Sequence, residues 1–301
     1  MNQVSEKAYA KINLSLDVLR RRPDGYHEVK MIMQTVDICD ILTISKTDCK
    51  GISLKVGEAP LPCNKENLVY KAAEMVMQQF AIQEGVEITL EKNIPIAAGM
   101  AGGSSDAAAV LRGMNKLFDL KMSLADMQKL GVKIGADVPY CIMGGTALSE
   151  GIGEMLSELP APPEAYLLIA KPDIDVSTKF VYENLHADTL SYHPDVDGMV
   201  QALRTGDLKG ITDRMGNVLE TVTQKTYPVI GEIKETMKLQ GAENALMSGS
   251  GPTVFGIYRK KATAEKAYAV LQDKKIAKQV FVTEFALPEY TVAFRGREAE
   301  A

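Results

Sequence analysis

No stretch of the 301-residue chain approaches the roughly eighteen consecutive apolar residues that a membrane-spanning helix needs, and no signal-peptide pattern precedes Ala8. A membrane partner and export are therefore not expected. Cysteine is scarce: Cys39, Cys49, Cys63 and Cys141 show neither zinc-site spacing nor a disulfide framework, so reduced, partly buried thiols are expected. Positive charge is not in excess either. The 34 Lys and Arg against 39 Asp and Glu leave a net charge of −5, with a pI near 5.4. That argues against a general nucleic-acid binder and leaves room only for a local basic site. A soluble cytoplasmic protein is the simplest reading.

What is present is ample core material. With 46% hydrophobic residues, the chain is long for one core and suggests two domains. Leu159-Pro-Ala-Pro-Pro163 is the best linker, proline-rich and without periodicity. The expected units are residues 1–160 and 161–287. Residues 288–301 form a tail that matches no pattern and is open to disorder.

In the first unit, Ala8, Ala10, Ile12, Leu14, Leu16 and Val18 alternate with polar residues, which predicts a strand with Lys11 and Asn13 sharing one face. A lysine on such a face is ordinarily just solvated. Arg20-Arg-Arg-Pro-Asp-Gly25 is a basic turn, and a run of this kind is more often solvated surface than a phosphate site. Tyr26 and His27 follow it, and taken alone they are as readily a surface feature as a site. Two strands are expected over 28–36 and 40–47, then a helix capped by Asn64 and running to Phe80. A helix opens at Ser123 with a capping box to Asp126 and ends near Gly135. Asp137, in Gly135-Ala-Asp-Val-Pro139, reads by itself as a turn residue bonding its own backbone. Strands at 144–148 and 154–157 close the unit.

In the second unit, strands are expected at 166–170, 244–248, 253–258 and 279–286, with helices near 177–185, 197–206, 227–239 and 262–273. That order suggests α+β architecture of split βαβ, ferredoxin-like character. Ser248, Gly249, Ser250 and Gly251 can be a hairpin loop and nothing more.

The chain is organised around a glycine-rich loop. Val86, Ile88 and Leu90 alternate as a half-buried strand, while Val110, Leu111, Met114, Leu117 and Phe118 recur at helical spacing, with Ser104 or Ser105 available as N-cap. Between them, Pro95, Ile96, Ala97, Ala98, Gly99, Met100, Ala101, Gly102, Gly103, Ser104 and Ser105 join strand to helix. Glycines let the backbone approach a ligand, and a helix N-terminus favours phosphate. The same residues also suit an ordinary loop with a small-residue helix packed behind it. This is not a Walker A loop, since no Gly-Lys-Ser/Thr closes it. Nor is it Gly-x-Gly-x-x-Gly, because Ala101 stands two residues after Gly99.

Pro95-x-x-x-Gly-Met-Ala-Gly-Gly-Ser-Ser-Asp106 resembles the ATP-binding loop of the GHMP kinases, with Ala97, Ala98 and Ala101 where many members carry glycine. Ala10-Lys-Ile-Asn-Leu14, Gly135-Ala-Asp-Val-Pro139 and Ser248-Gly-Ser-Gly251 are similar to that family's other motifs. The loop's extra length and Asp24-Gly-Tyr-His27 resemble the branch of the non-mevalonate isoprenoid pathway, whose substrate carries a cytidyl group.

The resemblance implies the two-domain GHMP fold, with an α/β nucleotide-binding unit first and a substrate unit second. It implies that the loop at 95–105 binds ATP, that Asp137 is the acid-base group and that Lys11 lies beside the reacting hydroxyl. It places Asn13, Tyr26, His27, Ser248, Gly249 and Ser250 at the cytidyl substrate. It also implies Mg2+, with Ser105 or Ser104 as the nearby hydroxyl. The expected partner is a small molecule, without nucleic acid or membrane, and the chain is expected as monomer or homodimer. Two other readings stand beside this one: a GHMP kinase for homoserine, mevalonate or a sugar, and a non-catalytic nucleotide- or RNA-binding protein on the same scaffold.

Overall fold

A computed structural model describes residues 1–292. The first apolar–polar alternation becomes strand β1 (Gln3–Arg21), and the next becomes one strand, β2 (His27–Thr47), instead of the two expected. The strands pair antiparallel from end to end. Register shifts between Tyr9 and Lys11, Asn13 and Ser15, and Val18 and Arg20 absorb the breaks in alternation that had looked like a strand end. The turn between them is built as Pro-Asp-Gly implies, with Tyr26 N donating to Asp24 Oδ1 at 3.1 Å and Arg22 N to Tyr26 O at 2.7 Å.

Next come β3 (Ile52–Val56), α1 (Leu68–Gln79) and β4 (Gly85–Glu91). The cap of α1 is Asn67, whose Oδ1 accepts from Val69 N, while Asn64 serves the preceding turn by accepting from Glu66 N. Helix α2 (Gly102–Leu117) starts earlier than expected: Ala101, in a left-handed conformation, is its N-cap, and Ser104 and Ser105 lie inside the first turn. Helix α3 (Leu124–Gly131) carries the expected Ser123–Asp126 capping box. Then α4 (Val138–Met143), β5 (Thr146–Glu150) and β6 (Met155–Leu159) follow. The sheet runs β3-β4-β2-β1, with β5 beside β2 and β6 beside β5. Ala107, Ala108 and Ala109 on α2 are fully buried, so the helix lies close against β1 and α1. Val110 and Leu111 beside them each contribute about 1.5–3 kcal/mol by burial.

The second half contains β7 (Tyr166–Lys171), α5 (Thr178–Glu183), α6 (Val196–Thr205), α7 (Leu208–Asp213), β8 (Gly216–Asn217), α8 (Glu220–Thr226), α9 (Val229–Leu239), β9 (Asn244–Met247), β10 (Val254–Tyr258), α10 (Lys261–Lys274) and β11 (Gln279–Glu284). Its sheet order, β11-β7-β10-β9 with every neighbour antiparallel, is that of the split βαβ unit. Strand β8 is the exception to a clean division. It joins the first sheet, parallel to Ser15 and Leu16 of β1.

Residues 288–292 are not a loose tail. Residues 289–292 form a helical turn whose Tyr290 ring lies 3.7 Å from the guanidinium carbon of buried Arg112, and Thr291 Oγ1 donates to Met143 O. The remainder of the expected tail, 293–301, lies outside the described residues. All four cysteines are unpaired, with Cys49 and Cys63 exposed and Cys141 buried. No helix among the described residues is long and apolar enough to cross a membrane.

Candidate active site

A cleft of about 1130 Å³ opens between the first half of the chain and the α5 and 249–250 segments of the second. Lys11 and Asn13 reach it from the middle of β1, where alternation puts both on one face. The Lys11 ammonium, 5% exposed, donates to Asn13 Oδ1 at 2.8 Å and stands 3.6 Å from Asp137 Oδ2. Asp137 is the N-cap of α4, yet its side chain makes no capping bond. A turn residue would have spent its carboxylate on the helix N–H groups. Here it faces Lys11 and the cleft instead.

The glycine-rich loop lines the cleft beside this pair. Pro95, Ile96, Ala97, Ala98, Gly99, Ala101, Gly102, Gly103 and Ser104 all border it. Met100 does not, because its side chain is core, but its carbonyl accepts from Lys11 N at 3.1 Å and ties loop to strand. Ser105 is turned away. Its hydroxyl, 1% exposed as a residue, donates to Tyr9 O at 2.7 Å and lies 3.3 Å from Cys141 Sγ. Ser104 takes the cleft-facing position, with Oγ 3.8 Å from where a side chain on Gly135 would begin.

A buried ionic cluster supports the loop, with Lys92 and Asp106 themselves bordering the cleft, and nothing in the spacing of its members announced it. Asp40 on β2 accepts from Asn93 N and Ile94 N and pairs with Lys92, which also bonds Asp106 Oδ2 at 2.9 Å. Asp106 Oδ1 has no partner of its own. Burial pushes the Asp106 carboxyl up to about 8 against the pull of Lys92, with Asp40 adding to the rise. Since this lies above the ordinary aspartate value of 3.8, the folded state holds a proton that the unfolded chain releases. The stability this gives is complete below the ordinary value and is lost as pH rises towards about 8. Asp106→Asn, which mimics the neutral acid, should therefore gain on the wild type as pH rises from about 4 to about 8 in urea-midpoint measurements. A constant difference across that range would mean that Asp106 is ionised throughout.

At the outer end of β1 and β2 the cleft is aromatic. Tyr26 is 59% exposed and borders it. The His27 ring stands 5.1 Å from that of Tyr182 on α5, at an interplanar angle of 39°. Burial, then the nearby Arg21, holds the His27 imidazole below its usual value and therefore neutral at pH 7. Tyr182, a partner from the other half of the chain, was missed in the sequence because one tyrosine in a short amphipathic helix reads as core.

The third glycine-rich stretch reaches the same cleft through Gly249 and Ser250. Ser248 does not border it. Its hydroxyl donates to Gly99 O at 2.9 Å, locking one loop onto the other.

Comparison with known proteins gives the family. The model of the GHMP kinases N terminal domain matches residues 67–145, and that of the GHMP kinases C terminal matches 199–277. A 4-diphosphocytidyl-2-C-methyl-D-erythritol kinase of Lachnoclostridium phytofermentans is 53% identical over 285 residues, covering 95% of this chain and 98% of its own. The kinase of that description from Lachnospira eligens is 50% identical over 288 residues, 96% of this chain and 100% of its own. The chain belongs to the 4-diphosphocytidyl-2-C-methyl-D-erythritol kinases of the GHMP kinase family. A crystal structure of a 4-(cytidine 5'-diphospho)-2C-methyl-D-erythritol kinase superposes with a TM-score of 0.80 at 30% identity, covering 95% of this chain and 100% of that one. Homoserine kinase from Cytophaga hutchinsonii, at 22% identity and a TM-score of 0.77, shares the fold. As a kinase of this family, the protein uses ATP.

Proposed function

We propose that the chain transfers the terminal phosphoryl group of ATP to the 2-hydroxyl of 4-diphosphocytidyl-2-C-methyl-D-erythritol, giving the 2-phosphate and ADP in isoprenoid precursor biosynthesis. One observation carries the reading: the Lys11–Asp137 pair, 3.6 Å apart, lies between a glycine-rich helix N-terminus and the aromatic end formed by Tyr26, His27 and Tyr182. Phosphoryl transfer needs mainly positioning and charge neutralisation. The loop at 95–104 cradles the nucleotide phosphates with backbone N–H groups. Asp137 accepts the hydroxyl proton, and Lys11 orients that oxygen and offsets its charge, itself held by Asn13.

Magnesium fits as an ion carried in with the nucleotide. Among the described residues no group of three or more His, Cys, Asp or Glu could hold a metal, while Ser104 presents a hydroxyl at the loop. Ser104 and phosphate oxygens would hold the ion, which neutralises phosphate charge when bound. Ser105 is not the ligand in this reading, since its hydroxyl is committed to Tyr9 O.

The division at residue 160 into a nucleotide unit and a substrate unit, 161–287, belongs to the same proposal. So does work in the cytoplasm on a small molecule, without nucleic acid. One chain supplies the whole cleft, so a monomer suffices and a homodimer would carry two such clefts.

The cytidyl group packs against the aromatic end formed by Tyr26, His27 and Tyr182. Tyr182→Ala and Tyr26→Ala should each weaken the cytidyl substrate by about 1–3 kcal/mol and leave ATP affinity unchanged. Titration calorimetry with both ligands checks this, and equal losses for ATP and substrate would refute the assignment. The reading as a whole is tested by ATP consumption with and without 4-diphosphocytidyl-2-C-methyl-D-erythritol, with homoserine and mevalonate as comparison acceptors. Turnover that ignores the cytidyl compound would overturn it.

A further inference from the structure

The two glycine-rich loops touch so closely that one fixes the other. A side chain on Gly99 would begin 2.3 Å from Ser248 O, and one on Gly249 would begin 3.1 Å from Gly99 O. Something must hold the 248–251 loop at that distance, and its own hydrogen bonds do not suffice. Ser248 N donates to Thr253 O, and Gly251 N to Ser248 O, both within the hairpin. External anchors hold it at two places: Thr223 Oγ1 donates to Ser250 O at 3.2 Å and the Thr178 hydroxyl lies 2.9 Å from Ser250 Oγ, while the anchor that brackets Ser248 is Asn217. Its residue is 4% exposed, and the amide nitrogen donates to Met247 O and to Gly249 O, each at 2.8 Å, one on either side of Ser248. Its Oδ1 accepts from Leu219 N at 3.0 Å, so both ends of the amide are committed. Glu220 adds a further grip: Oε1 accepts from Met247 N at 2.9 Å, while Oε2 is paired with Lys234 at 2.6 Å.

Asn217 is itself fixed to the strand that bears Lys11. It lies in β8, opposite Leu16 of β1, and Val218 N donates to Leu16 O at 3.1 Å. A continuous set of hydrogen bonds thus runs from β1 through Asn217 to residues 247 and 249, and from Ser248 Oγ to Gly99 O. We propose that Asn217 is a positioning residue for phosphoryl transfer, setting the nucleotide loop at Gly99 in register with Lys11 by way of the 248–251 loop. The amide is suited to this because it supplies two donors and one acceptor on a short side chain, without a charge to desolvate.

The test compares kcat, KM for ATP and thermal unfolding in Asn217→Ala, Asn217→Asp, Ser248→Ala and the Asn217→Ala/Ser248→Ala double variant. Asn217→Asp keeps the size and the acceptor towards Leu219 N but turns a carboxylate oxygen towards two carbonyls. Both Asn217 variants should stay folded and lose about 100-fold in kcat, as expected for a small misplacement remote from the chemistry, with a smaller change in KM for ATP. The double variant should be no slower than the slower single one, because both changes break one chain of contacts. A wild-type kcat in Asn217→Ala would overturn the proposal, as would losses that multiply in the double variant. Unfolding of both Asn217 variants would do so too, since it would make Asn217 a residue of general stability. The inference rests on the reading that Gly99's loop holds ATP. That reading fails separately, if a folded Gly99 variant binds ATP as the wild type does.

Discussion

Asp137→Asn should lower kcat by roughly 100- to 10,000-fold while ATP and cytidyl-substrate affinities stay close to wild type. The geometry separates catalysis from folding unusually well at this position. Asp137 is the N-cap of α4 but makes no capping bond, so α4 does not depend on its carboxylate. Asparagine is among the best N-cap residues, so the variant has no reason to fray the helix. Lys11 loses the charge 3.6 Å away but keeps its bond to Asn13 Oδ1. What the variant lacks is a basic oxygen facing the substrate hydroxyl. A group that acts only in the transition state lowers kcat and kcat/KM together and leaves binding alone. Steady-state kinetics with calorimetry for both ligands reads this directly. Turnover within a few-fold of wild type would remove Asp137 from the mechanism and leave the pair with Lys11 a structural ion pair.

How far this site was legible in the sequence depends on how local each signal is. The loop, Lys11, Asn13, Asp137, Tyr26 and His27 all lie in contiguous motifs, and the fold brings them to one cleft. Capping at Ser123 was equally local and equally readable. Other features are written at long separation. Asp40 on β2, Lys92 just after β4 and Asp106 on α2 are brought together by the fold, and no spacing rule connects them before the sheet forms. Tyr182 meets His27 only because α5 of the second half leans over the first. The strand split expected within 28–47 had a physical cause, since alternation fails at bulges while backbone pairing continues through them. The six-residue helix α7 and the two-residue strand β8 are shorter than any window in which periodicity can be seen. Choosing between Ser104 and Ser105 needed the helix start, which lies at Gly102 instead of at a serine cap.

Gly99→Ala should impair ATP binding and stability far more than Gly102→Ala, although both glycines lie in one loop. Gly99 has a φ of +68°, a left-handed conformation that a residue with a side chain pays roughly 1–2 kcal/mol to adopt. Its first side-chain atom would then sit 2.3 Å from Ser248 O, a backbone atom held by the opposing loop. Relief requires one of the two loops to move, at a further cost of about 1–3 kcal/mol. If the 95–104 loop moves, its N–H groups leave the phosphate positions; if the 248–251 loop moves, the substrate side opens. At Gly102 the new atom would meet Lys92 Nζ at 3.1 Å and Ile94 Cγ2 at 3.2 Å, side-chain contacts that ask for a small shift and displace no backbone atom. No left-handed angle is involved there. The expected order for ATP affinity is therefore wild type, then Gly102→Ala slightly weaker, then Gly99→Ala weaker by about 10- to 100-fold. Titration calorimetry on the two folded variants, with urea unfolding alongside, measures both effects. Equal ATP affinities for Gly99→Ala and Gly102→Ala would show that the contact between the two glycine-rich loops does not shape the nucleotide site.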